Sequence, residues 1–316
     1  MSPPAKPRER ADRGVRPWTG LAGALVAVLV IAGGAIAFGL LRSRPVPTLP
    51  LPAPACTATL NDGRQARLTI EQAGNASLIA GVASQRGLAP RATSIALATA
   101  LQESGLRNLD HGDLDSLGLF QQRPAAGWGT PEQIMDPYYS TGKFFDAMVK
   151  VPNWQEADIG EVAQEVQRSA FPEAYDKHVE RARILASALT GETPTGWTCH
   201  VRDPRPADPA GLSSALSRAY GALAAVGPID WGLSDGTAPP DPPQITVRTV
   251  GAPAAWSLAA FAQSWAATYG VAVVQVGDSV WTGQPDVPAD WVSQPAGAEP
   301  TPVADPTTVV VTFRGT

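Results

Sequence analysis

Apolar and polar positions alternate on very different scales along the chain. Leu21 to Leu41 is uncharged and almost wholly apolar for 21 residues, long enough as a helix to span about 31 Å at roughly 1.5 Å per residue, which predicts a single transmembrane helix. Pro45 to Ala55 carries proline at 45, 47, 50, 52 and 54, a polyproline pattern that predicts a stalk over 42–55 holding the following domain roughly 30 Å off the membrane. Beyond it the pattern shortens. Thr57 to Leu60 and Arg67 to Ile70 flank Asn61-Asp62-Gly63, a hairpin signal. Helices are then predicted from a Ser77 cap to Gly87, from Pro90 through Ile95, Ala98 and Leu101, at the capping box Thr130-Pro131-Glu132-Gln133, over about 160–170, and over about 173–190 up to Gly191. After a proline-rich linker at 201–210, a helix is predicted over 212–225, a strand over 245–250, and a helix over 253–269 with Leu258, Phe261 and Trp265 on one face. A hairpin of 271–276 with 279–282 turning at Gly277-Asp278, and a last strand over 307–314, complete the pattern. The fold class predicted is α+β: a mainly helical domain over 56–200 after the membrane helix and stalk, and a small α+β accessory domain over 211–316.

Charge orients this layout. Lys6, Arg8, Arg10, Arg13 and Arg16 precede the apolar run, and Arg42 and Arg44 follow it. The positive-inside bias predicts a cytoplasmic basic tail at 1–20 and an extracytoplasmic body on a single-pass anchor in the cell membrane. The run exceeds the usual signal-peptide h-region of about 7 to 15 residues and has no clear small-x-small site at its end, which favours an anchor over a cleaved signal. Seven of the 24 basic and two of the 29 acidic residues lie in the first 44, leaving 17 against 27 in the body. A body at −10 lacks the basic footprint that nucleic acid requires, so no nucleic-acid partner is expected. The two cysteines, Cys56 and Cys199, bracket the predicted helical domain; on the oxidising side of a membrane they read as a disulfide, the alternative being two separate buried thiols.

Glu103 is the most informative side chain. It falls at the C-terminal end of the helix opened by Pro90, two residues past Leu101 and before Ser104-Gly105. There the negative end of the helix dipole and a bordering core both disfavour its charged form, the tuning a general acid needs near neutral pH. From position alone a solvated glutamate at a fraying helix end fits as well.

The run Leu88 to Leu106 (LAPRATSIALATALQESGL), in which a proline-started helix ends in Glu-Ser, resembles the segment around the catalytic glutamate of lytic transglycosylases and goose-type lysozymes. Downstream, Gly118-Leu119-Phe120-Gln121 with Pro124 after two residues resembles the family's Gly-Leu-Met-Gln motif, Phe120 replacing the methionine, and Asp136-Pro137 is similar to its Asp-Pro segment. The resemblance covers about residues 77–190. It implies that Glu103 protonates the oxygen between N-acetylmuramic acid and N-acetylglucosamine, then takes the proton of the muramic 6-hydroxyl, giving a 1,6-anhydro end. Peptidoglycan strands are then the substrate, Ser104 and Gln121 lie among the sugar-contacting positions, and no cofactor is needed.

The third motif departs from the family. Where Ala-Tyr-Asn is usual, the chain has Val166-Gln167-Arg168-Ser169-Ala170-Phe171-Pro172, with Tyr175 a few residues on. Gln167 is a candidate replacement for the missing polar contact, and Tyr175 is a candidate hydroxyl donor or stacking ring. Trp128, in Gly127-Trp128-Gly129, is a candidate to stack on a sugar. Asp110, Asp113 and Asp115 offer the second carboxylate that an inverting hydrolase requires; their loop lacks the glycine and distal glutamate of an EF-hand, and no metal is expected. Two rival functions stay open: a hydrolytic lysozyme using one of those aspartates, and an inert glycan-binding scaffold, which the altered third motif favours. The 211–316 region loosely resembles accessory domains of exported actinobacterial wall proteins, implying cell-wall or division proteins as partners.

Overall fold

The computed structural model describes residues 53–169, 171–221, 224–225, 242–283, 290–293 and 305–315. The expected membrane helix at 21–41, the basic tail and most of the stalk lie outside them. No helix among the described residues is long and apolar enough to cross a membrane. Those residues belong to one compact unit of the chain, Ala53–Thr316.

The hairpin forms at its predicted turn. Strand β1 (Ala55–Thr59) pairs antiparallel with β2 (Gln65–Leu68) on one side and β3 (Trp197–His200) on the other. Cys56 and Cys199 are register partners across β1 and β3 and form a disulfide enclosing a separation of 143 residues. The bracket read from the sequence is therefore a covalent bond at the edge of the helical region.

Helix α1 (Ile70–Gln85) begins earlier than predicted, and Ser77 is not its cap. Thr69 and Gln72 form the capping box, each side chain bonding the other's backbone N–H, while the Ser77 hydroxyl is buried and donates to the Gly74 carbonyl. The helix is buried almost all round because it is packed from both sides. Gly74 and Gly81, two turns apart, mark the close approaches: a Cβ built on Gly74 would lie 3.2 Å from the Trp265 ring, and one on Gly81 would lie 2.9 Å from the Ala219 Cβ.

Around α1 pack α2 (Pro90–Glu103, with proline at its first turn as predicted), α3 (Pro131–Met135, started by the Thr130 capping box), α4 (Pro137–Met148), α5 (Ile159–Gln167) and α6 (Asp176–Leu189). Helix α5 stops three residues short of its predicted end because Arg168 turns left-handed, with φ 53°. A short 3-10 turn, Pro172–Tyr175, then leads into α6.

The C-terminal region supplies α7 (Pro209–Tyr220), α8 (Ala252–Ser264) and α9 (Ala266–Tyr269). The helix expected over 253–269 breaks at Trp265, whose ring rests on Gly74. Strands β4 (Ala224–Ala225), β5 (Gln244–Thr249), β6 (Val271–Val276), β7 (Ser279–Thr282), β8 (Val292–Ser293) and β9 (Thr308–Phe313) form an antiparallel sheet in the order β4-β5-β9-β6-β7-β8. Its β6–β7 hairpin turns at Gly277-Asp278 as predicted. Helix α8 lies between this sheet and α1, so the two halves share one continuous core. Within the predicted linker, the backbone N–H groups of Arg205 and Asp208 donate to the carbonyls of Ala267 and Tyr269.

Candidate active site

The site begins where α2 ends. Ser104 leaves helical geometry, and Gly105 and Leu106 both take positive φ (63° and 61°), turning the chain sharply after Glu103. Two polar side chains of α1 hold this turn: Gln72 donates to the Gly105 carbonyl and Asn75 to the Leu106 carbonyl, both at 2.8 Å. The acid is thus fixed from the buried middle of the molecule.

The Gly118–Gln121 segment is itself a tight turn, closed by reciprocal backbone bonds between Leu117 and Gln122 at 2.9 Å. Gly118 has φ 77°, and a Cβ there would meet the Ile134 carbonyl at 2.9 Å, so glycine is required. Phe120 anchors the turn: it is fully buried and stacks on Phe144 with ring centroids 4.5 Å apart. Ser104 is turned inward, its hydroxyl donating to the Leu119 carbonyl at 2.7 Å, so it ties this turn to the end of α2.

Gln167, the last residue of α5, and Tyr175 complete the cluster. The Gln167 amide donates to the Phe120 carbonyl at 2.7 Å, which ties the end of α5 to the Gly118–Gln121 turn. Tyr175, fully buried, donates its hydroxyl to Glu103 Oε1 at 2.5 Å. Of the residues singled out in the sequence, Tyr175 bonds the Glu103 carboxyl directly, while Gln167 and Ser104 bond successive carbonyls, Phe120 and Leu119, of the Gly118–Gln121 turn. Gln121 sits beside them on the turn, its amide reaching the His111 and Gly118 carbonyls at 3.3 Å, and its own φ is 46°. Trp128 is half-buried between two positive-φ glycines; its backbone bonds Arg123 and the Tyr139 hydroxyl.

The electrostatics separate the carboxylates. Burial pushes the Glu103 pKa up from its ordinary value, opposed by the hydrogen bonds from Tyr175 and Gln167, which favour the charged form. Burial, with the neighbouring carboxyl second, pushes the Tyr175 hydroxyl up as well, which keeps it a proton donor. Asp115 moves the other way: Arg123, at 2.5 Å, and the Ala125 N–H hold it below the usual carboxylate range. His111 does the same for the exposed Asp110. Asp113 is exposed and bonds the Ser116 N–H through its main-chain carbonyl. A carboxyl whose charged form is disfavoured by burial is suited to proton donation.

Sequence reading missed Ser169, whose hydroxyl accepts the Phe171 N–H at 3.2 Å on the turn that carries the chain from α5 to Tyr175. The signal was the departing third motif itself, in which both residues fall. A pocket of about 310 Å³ lies elsewhere, between α1, α7, α8 and the end of β5, and its lining residues Ser84, Tyr220, Thr249 and Leu258 bring no titratable cluster to it. In comparisons with known proteins, no family model and no curated protein matches the chain.

Proposed function

We propose that the protein cleaves peptidoglycan glycan strands by the lytic transglycosylase reaction, with Glu103 as acid and then base, on the outer side of the membrane that residues 21–41 cross. The observation that carries this reading is the Glu103 carboxyl itself: at a helix end, partly buried so that its pKa is raised, and bonded by the Tyr175 hydroxyl at 2.5 Å. The protonated carboxyl donates to the glycosidic oxygen as the bond from muramic C1 to that oxygen breaks, and the N-acetylglucosamine side leaves with the proton. The carboxylate left behind is stabilised by the Tyr175 hydroxyl and the Gln167 amide, which need no reorganisation to receive the charge. It then takes the proton of the muramic 6-hydroxyl as that oxygen bonds C1, which regenerates the acid and consumes no water. Gln121 and Trp128 contact the sugars; Ser104 positions Glu103 and the Gly118–Gln121 turn rather than the substrate. The disulfide supports the extracytoplasmic placement, since such bonds persist in oxidising compartments.

The test is mass spectrometry of fragments released from peptidoglycan by the full-length protein. The wild type yields 1,6-anhydro ends, and Glu103→Gln lowers the rate by about 10²–10⁴. Reducing ends from the wild type replace this mechanism with hydrolysis. Glycan retained without release replaces it with a binding scaffold.

A further inference from the structure

Among the described residues, Phe171 is the only aromatic side chain in the exposed range, with 74% of its surface open to solvent. It stands on the turn between α5 and α6, where the left-handed Arg168 sends the chain back past the acid. Its backbone is held on both sides: the Phe171 N–H donates to Ser169 Oγ at 3.2 Å, and its carbonyl accepts from the Ala174 N–H at 3.1 Å, at the start of the 3-10 turn whose last residue, Tyr175, donates its hydroxyl to Glu103. Nearby, Phe120 and Tyr175 are fully buried and Val166 nearly so. A large apolar ring left bare at the start of the turn whose last residue bonds the Glu103 carboxyl is suited to receive the apolar face of a ligand.

Resting on the glycan-cleaving reading above, we propose that Phe171 is a substrate-binding platform, on which the C–H face of a pyranose ring next to the scissile bond stacks. The ring face carries negative quadrupole charge and the axial C–H groups of a pyranose are weakly positive, so the contact gains electrostatic attraction as well as apolar burial. The contact is made equally in the ground state and the transition state, so it contributes to binding rather than to the chemical step.

The experiment uses the full-length protein and soluble, peptide-free glycan strands of alternating N-acetylglucosamine and N-acetylmuramic acid. Phe171→Ala is expected to raise KM about tenfold with kcat within about twofold of wild type. Phe171→Trp stays near wild type, while Phe171→Leu, apolar but without a flat face, behaves like alanine. Val292→Ala, an exposed apolar residue on β8, leaves both constants unchanged. An unchanged KM in Phe171→Ala, or rescue by leucine as good as by tryptophan, overturns the platform while leaving the cleavage reading intact. Where the wild type releases no fragments, the cleavage reading falls and the platform is judged by retention on insoluble peptidoglycan: reduced retention of Phe171→Ala upholds it, and equal retention overturns it.

Discussion

The helical region and the C-terminal sheet region are packed against the same helix, yet they contribute different things to the molecule. In the helical region the side-chain hydrogen bonds converge: Gln72, Asn75, Ser104, Gln167 and Tyr175 all end on Glu103 or on the backbone turns that hold it. In the sheet region the buried valines Val271, Val274, Val276, Val309 and Val311 of β6 and β9 pack beneath α8. One region gathers polar side chains around a single carboxyl; the other contributes burial. The difference teaches that the candidate site is assembled within the helical region, with the sheet region adding to the core behind it.

That division is open to being broken. Trp281→Ala, at a fully buried position, is expected to cost about 3–5 kcal/mol in denaturant unfolding, while kcat measured well below the melting temperature stays at the wild-type value; a fall in kcat there would erase the division. At the seam, Gly81→Val forces a branched side chain toward Ala219 and Tyr220, and about 1–3 kcal/mol of stability is expected to be lost, read as a lower denaturant midpoint. Its unfolding transition stays single, because the core is continuous; two transitions would show that the halves unfold separately.

Smaller effects sharpen the helical side. A carboxyl whose folded pKa lies above its ordinary value of 4.5 binds its proton more tightly in the folded chain. Its contribution is full below pH 4.5 and is lost as pH rises through the folded pKa. Glu103→Gln, neutral throughout, is therefore expected to melt roughly a few degrees above wild type at pH 7 and no higher at pH 4, as scanning calorimetry would register. Tyr175→Phe removes a bond that favours the carboxylate, so the Glu103 pKa rises further and the alkaline limb of the pH–rate profile moves to higher pH; a limb that stays in place would mean that the hydroxyl does not act on the acid.

Local signals were legible in the sequence because they are written within a few residues: the Asn61-Asp62-Gly63 and Gly277-Asp278 turns, proline at the first turn of α2, the Thr130–Gln133 box. The cysteine pair was legible from compartment and spacing. What failed was tertiary. Ser77 resembles a cap, but Thr69-x-x-Gln72 sits eight residues earlier and satisfies both backbone donors. Gly74 and Gly81 resemble helix-weakening residues until Trp265 and Ala219 are found against them. Within the site, Glu103 stood out by its position at a helix end, whereas the inward turn of Ser104 depends on where Leu119 lies and the Tyr175–Glu103 bond on where the chain returns after Arg168, which no local pattern encodes.

The Cys56–Cys199 bond also has a mechanical meaning. Tension applied between the N-terminal side of Cys56 and the C-terminal region passes directly from β1 to β3 through the two sulfurs. Residues 57–198, with Glu103 and every side chain that holds it, lie off that covalent path, so tension along the chain reaches them only through the noncovalent core that α1 shares with α7 and α8.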